Sequence, residues 1–345
     1  MRTAPSLPKQ QRGALLILLV IALGILAVTV FVGMLSSSAI QNERDKKTSA
    51  ALAEAKAALI GRAVKDDNRP GSLPCPDITN DGIAAMLNGT KCLSYIGRLP
   101  WRTLGIPDLR DGYGERLWYT LSINLTDSAQ TPSIPINGDT LLNIQVYASD
   151  KLTPLTSVGN EAAAVIFSPG PVLNGQLRDT ANEKIAANYL DKTGTSPSDI
   201  DNANASGPFI QGPVRDSAGN IILNDKLMII TRHDLFSVVE KRIAGEIIGT
   251  DTPTIGLRGY YVSPSYGYYP YAGDSSGNEQ SGSLSGYVPY KSLSFTSAIK
   301  TMLINNNWFG ITSYQVNSVR DSAQLGLKYC TVTTTSGKQG VPVCH

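Results

Sequence analysis

The chain has 345 residues, a net charge of +2 and only 17% charged residues. That balance excludes a basic nucleic-acid binder, and the sequence has no Lys/Arg stripe interleaved with aromatics. The 32 glycines and 20 prolines, with abundant Ser, Thr and Asn, describe a loop-rich protein long enough for one large or two small domains beyond its N-terminal segment.

That segment opens with Arg2, Lys9 and Arg12 and no acid, then runs from Ala14 to Leu35 without a charge. A helix needs about 20 apolar residues to cross a ~30 Å hydrocarbon core, so the sequence predicts a membrane-spanning helix. The far flank mixes Glu43, Arg44, Asp45, Lys46 and Lys47. The positive-inside rule then sets the N-terminus in the cytoplasm and the remainder outside it. A secretory signal peptide begins in the same way, but its apolar region is usually about 7–15 residues long. The run here is longer and passes, without a Pro or a clear cleavage site, into an alanine-rich helical pattern. Ala51, Leu52, Ala55, Ala58, Leu59 and Ala63 recur near helical spacing, with Glu43, Lys46, Glu54 and Arg62 mostly elsewhere. Asp66-Asp67-Asn68-Arg69-Pro70-Gly71 stops this helix.

A short basic leader ending in Gly, followed by an apolar helix that becomes amphipathic, resembles the type IV pilins and the pseudopilins of type II secretion. The resemblance implies cleavage by a prepilin peptidase after Gly13, with Ala14 as the new, methylated N-terminus. Family members usually begin the mature chain with Phe or Met and carry Glu as its fifth residue. Here those positions are Ala14 and Leu18. In the family that Glu pairs with the free amine of a neighbouring subunit, and minor subunits at the filament tip can lack it. The departure points to a minor, tip-like subunit. The shallow alanine stripe would let a sheet lie close against the helix, as a pilin head needs; an ordinary juxtamembrane stalk is the competing reading.

The four cysteines, Cys75, Cys92, Cys330 and Cys344, all follow the apolar run. An even count in an oxidising compartment reads as disulfides, and local pairing, Cys75–Cys92 and Cys330–Cys344, is favoured among three connectivities. Zinc is the rival, without any Cys-x-x-Cys pair and with only His233 and His345 to assist. Between the first two cysteines, Asp77, Thr79 and Asp81 followed by Gly82 copy the start of a calcium loop, although Asn88 stands where an EF-hand has its bidentate Glu. Some pseudopilins bind calcium in head loops; an Asx-rich turn without metal competes with that reading.

Further along, Asp111-Gly112-Tyr113-Gly114 is a tight turn before a strand from Leu117 to Ile123. DGYGERLWY is similar in order to the Asp-led turn and aromatic strand of pseudopilin heads. Leu141 to Tyr147, Ala163 to Ser168 and Leu227 to Thr231 read as further strands, and Leu173 to Gly219 as a long polar surface loop. Asp234 to Ile248 is an amphipathic helix bearing Leu235, Val238, Val239, Ile243 and Ile247. A Tyr/Gly-rich loop, a short helix from Ser297 to Ile304 and a strand from Leu325 to Thr335 follow. Trp101 to Trp118 and Tyr290 to Trp308 are matched intervals, 17 and 18 positions long. The second half therefore reads as a degenerate repeat of the first. A loop closed by Cys330 and Cys344 resembles the one that closes many pilin heads.

Enzyme signals are poor. His233 reads as a helix-start or surface residue, and Ser297-Ala298-Ile299-Lys300 with Lys192-Thr193-Gly194 stands in the wrong order for a penicillin-binding site. Tyr260, Tyr261, Tyr266, Tyr268, Tyr269 and Tyr271 read as a contact surface, a sugar platform or a cover for the second sheet.

The expected fold is α+β. A long N-terminal membrane-spanning helix leads into an antiparallel-sheet, pilin-like head that is duplicated. The expected divisions are 1–13 as leader, 14–65 as helix, 66–232 as first head and 233–345 as a second helix-plus-sheet unit. The expected protein is non-enzymatic, a minor pilin or pseudopilin-like subunit. It would sit in a bacterial inner membrane with its head periplasmic or in an extracellular filament. Its partners would be other pilin or pseudopilin subunits, the prepilin peptidase and the inner membrane, and no nucleic acid. A permanently anchored envelope protein that binds a ligand or partner is the alternative.

Overall fold

A computed structural model describes residues 11–128, 134–194, 196, 198–337 and 340–345, with the side chains of 11–16 and 25–37 outside the description. Helix α1 runs unbroken over Gln11–Lys65. Strands β1 (Leu87–Asn88), β2 (Lys91–Cys92) and β3 (Ile96–Arg98), the short helix α2 (Trp101–Leu104) and β4 (Trp118–Leu121) follow. Then come β5 (Val146–Tyr147), β6 (Ala162–Ser168), β7 (Phe209–Ile210), β8 (Val214–Arg215), β9 (Ile221–Leu223) and β10 (Lys226–Thr231). The last third holds α3 (Arg232–Ile248), α4 (Gly256–Val262), β11 (Ser285–Tyr287), α5 (Ser297–Asn305) and α6 (Trp308–Ile311), then β12 (Ser313–Val316), β13 (Ser322–Gly326), β14 (Cys330–Thr335) and β15 (Val343–Cys344).

The expectation of a membrane-spanning helix is corrected here. Among the described residues no helix is long and apolar enough to cross a membrane. What α1 does in the head is clearer. Ala51, Leu52, Ala55, Leu59 and Ala63 are buried. Small side chains there let the helix pack against β6 and β10.

Two antiparallel meanders carry the head. One has the order β10-β6-β4-β3, the other β11-β12-β13-β14-β15. Helix α1 packs on the first and α3 on the second, and α3 also touches α1, β6 and β10. Thr231 and Asp234 form a capping box that starts α3, a device worth about 1 kcal/mol. One continuous core joins both layers, from Leu59 and Tyr119 through Phe236 to Tyr314 and Val332. The buried amide of Asn306, at the end of α5, bonds the amide N–H of Ile136 (3.2 Å) and the carbonyl of Asn68 (2.8 Å).

All residues of β4 and β6 are buried, because the first sheet is covered on both faces. Its outer face packs Trp118, Val165 and Phe167 against Val146, Tyr189, Leu190 and Phe209. The segment expected to be a surface loop therefore supplies a lid over the sheet. Arg98 fastens it: the guanidinium lies 4.1 Å from the Trp118 ring centre and 4.0 Å from that of Tyr189, and it donates to Glu183 O and Arg116 O. Deeper in the same segment, Asp225 is fully buried and accepts from Asp191 N (2.9 Å) and Asn202 Nδ2 (2.9 Å). Burial, then the neighbouring Asp191 charge, pushes the Asp225 carboxyl far up, and burial raises Asp191 to about 6.

Candidate assembly surface

The free part of α1 is the feature most open to a partner. Ile17, Leu18, Leu19, Val20, Ile21 and Leu23 are each between 52% and 65% exposed. A helix apolar on every side is normally buried, and burying one such side chain fully is worth about 1.5–3 kcal/mol. An exposed run of this kind marks an interaction site.

The rod is held to the head by the Asp111-Gly112-Tyr113-Gly114 turn. Asp111 is fully buried and uses both carboxylate oxygens. Oδ1 accepts from Tyr113 N (2.8 Å) and Glu115 N (3.0 Å); Oδ2 accepts from Ser168 Oγ (2.8 Å) and Gly170 N (3.1 Å). The turn so fixed presses on α1. Gly112 N donates to Thr48 Oγ1 (2.9 Å), and Tyr113 Oη donates to Gln41 Oε1 (3.0 Å). Arg44 lies over the Tyr113 ring at 4.9 Å. Position 112 requires glycine, since a Cβ there would meet the Arg44 carbonyl oxygen and lie 2.6 Å from its carbonyl carbon and Cα. Three ion pairs brace the same helix: Lys226–Asp45 (2.6 Å), Lys56–Asp234 (2.8 Å) and Arg62–Asp127 (2.9 Å). A cavity of about 610 Å³, lined by Ala39, Ile40, Glu43, Arg44, Lys47 and Gly112, opens beside the joint.

No protein-family model, curated protein or solved structure matches the chain. The site therefore stands on its own geometry.

The other residues singled out in the sequence are placed as follows. Gly13 and Ala14 fall within α1, in a stretch whose side chains lie outside the described residues. Cys75 is bonded to Cys92 and Cys330 to Cys344. Two disulfides are compatible with an oxidising compartment. Asp77 is buried, and its carboxylate accepts from Thr79 N, Thr79 Oγ1, Asn80 N and Gly82 N at 2.6–3.0 Å. Those are the loop's own donors, and Asp81 turns to Ile83 N (2.9 Å). Among the described residues no group of three or more His, Cys, Asp or Glu could hold a metal ion. His233 meets the carbonyl of His345 (2.9 Å) and packs edge-on against Tyr329. Ser297 and Lys300 lie in α5, whereas Lys192-Thr193-Gly194 lies in the lid segment.

Sequence reasoning missed Thr48, Gln41 and Gly112 as docking residues. The signal was present in the glycine that follows Asp111, but the helix it faces is 64 positions away. It also missed Glu240. This buried acid on α3 accepts from Tyr329 N (2.7 Å) and so ties α3 to the loop that Cys330 closes. Burial raises its carboxyl to about 7, with the Tyr329 and Cys330 amides easing the shift.

Proposed function

We propose that the protein is a non-enzymatic, pilin-like minor subunit of a type IV pilus or type II secretion filament. The observation that carries this reading is the division of α1. Its distal half is sunk in the head by an Ala/Leu stripe, and the described side chains of its free half are apolar and bare. In an assembly, neighbouring rods would cover those side chains and leave the head on the surface or at the tip. Both disulfides support a head that works outside the cytoplasm, in the periplasm or on an extracellular filament. Prepilin peptidase cleavage after Gly13 belongs to the same reading.

The test is association of the full chain in its own cells. Cross-linking should join the wild-type protein to like subunits through α1, and the double variant Leu18→Asp, Ile21→Asp should lose those products while its head stays folded. N-terminal sequencing of the same material should begin at Ala14. Cross-linking that is equal in wild type and variant would refute assembly through the rod, and retention of Met1 would refute processing.

A further inference from the structure

The head carries a second feature that assembly through α1 does not use. Six of the chain's 15 tyrosines fall between Tyr260 and Tyr271. They split by role. Tyr269 is fully buried, its hydroxyl against Thr334 Oγ1 (3.0 Å). Tyr260 is buried too and serves as backing, because Tyr266 stacks on it with ring centres 4.0 Å apart and planes 6° apart. Tyr266 is nevertheless 43% exposed and Tyr268, edge-on to it at 6.0 Å, is 36% exposed. Arg320 locks the arrangement. Its guanidinium sits between the rings of Tyr268 (3.9 Å) and Tyr271 (4.0 Å), with Nε donating to Tyr269 O (2.7 Å).

The result is one flat aromatic face, the Tyr266 ring, held in place by Tyr260 and Tyr268 before any ligand arrives, so little ordering entropy is lost on binding. Its chemistry selects among partners. An aromatic face is electron-rich, and one face of a pyranose ring presents a patch of C–H bonds with the complementary polarity. The charges at hand are already matched: Arg320 faces Glu279 at 3.5 Å and Arg258 faces Asp251 at 2.7 Å. Among the described residues, an ionic ligand therefore finds no free charge to neutralise there. The loop carrying the ring exposes Pro264, Ser265 and Gly267. That loop offers hydroxyl and backbone groups to a sugar's rim, with Val262 the exposed aliphatic side chain beside it. We propose that Tyr266, backed by Tyr260 and flanked by Tyr268 and Arg320, is a stacking platform for a neutral pyranose ring of an oligosaccharide.

The full chain is titrated with maltohexaose, cellohexaose and N-acetylchitohexaose and followed by saturation-transfer NMR and intrinsic fluorescence. At least one should bind saturably. Tyr266→Ala should weaken that binding by about tenfold, and Tyr266→Phe, which keeps the face and loses only the hydroxyl, should stay within about twofold. Tyr266→Leu should weaken it as Ala does, since it restores apolar area but not a flat ring. Near-ultraviolet circular dichroism checks that each variant is folded. No saturable binding of any of the three up to about 20 mM would overturn the proposal, as would a Tyr266→Leu protein that binds like wild type. Self-association that disappears in Tyr266→Ala with no change towards sugar would overturn it too, by making the face a contact between copies. None of these outcomes depends on the rod, so they leave the assembly reading to its own test.

Discussion

Gly112→Ala puts the joint between rod and head to a direct test. Position 112 lies outside the left-handed region, so backbone freedom gives no reason for a glycine there. At such a position Gly→Ala ordinarily stabilises by about 0.4–1 kcal/mol. Here the added methyl lies 2.6 Å from two backbone carbons of Arg44, about 1 Å inside ordinary carbon–carbon contact. No rotamer change relieves a clash with helix backbone. Relief must come from moving the turn off α1, which breaks the Gly112–Thr48 bond and the Tyr113–Gln41 bond. Overpacking costs about 1–3 kcal/mol and each of the two lost hydrogen bonds about 1 kcal/mol, so the change should cost about 3–5 kcal/mol in total. For a chain of this size that corresponds to a fall of roughly 4–7 °C in Tm. Hydrogen exchange should locate the loss, with faster exchange over residues 41–48 and unchanged protection over 51–63. A Gly112→Ala protein as stable as wild type, with the exchange of 41–48 unaltered, would show that the turn does not clamp the helix.

The remaining predictions concern the lid, the core acids and the disulfide loop. Arg98→Ala should destabilise by about 2–4 kcal/mol, because it removes a two-ring cation stack and leaves two half-buried carbonyls without their donor, and limited proteolysis should then cut within residues 173–225. Asp191 rises from 3.8 to about 6 on folding and Glu240 from 4.5 to about 7, so the folded state holds these protons longer than the unfolded chain does. The stability they contribute is complete below pH 3.8 and 4.5 and is lost as pH climbs through 6 and 7, about 2–3 kcal/mol for each group. Urea denaturation at pH 5 and pH 8 should show that difference, and it should shrink in Asp191→Asn and Glu240→Gln. Replacing Cys330 and Cys344 together by Ser opens a loop with a sequence separation of 14 and should cost about 3 kcal/mol, read as a lower urea midpoint.

Periodicity served where one side of an element faces one core. The stripe from Ala51 to Ala63 and the pattern of α3 were legible for that reason, although Val238 points outward. Periodicity failed where both faces are covered or where burial is sparse. The lid segment places Tyr189, Leu190, Phe209 and Ile210 in the core as two adjacent pairs with a long, mostly polar stretch between them, and so reads as solvent-facing. The strand expected from Leu325 to Thr335 is two strands joined at Leu327–Tyr329, because apolar alternation continues across the turn. Leu141 to Tyr147 is strand only at Val146–Tyr147. Helix α4 was invisible because Gly256 and Gly259 are poor helix formers; Gly259 is there because the backbone of Thr254 comes too close for a side chain. At the candidate site the Asp77 spacing suggested a cation, yet spacing alone does not say that Gly82 N would reach the same carboxylate.

The way α1 enters the head sets how it would answer tension. Its anchored half, from Thr48 to Ala63, is about four turns long and lies alongside α3 and the first sheet rather than ending on them. A pull on the free end therefore loads those turns in shear, all together, instead of peeling them one by one. The Lys56–Asp234 pair and the clamp at Gly112 lie along that line of force, while both disulfides lie off it.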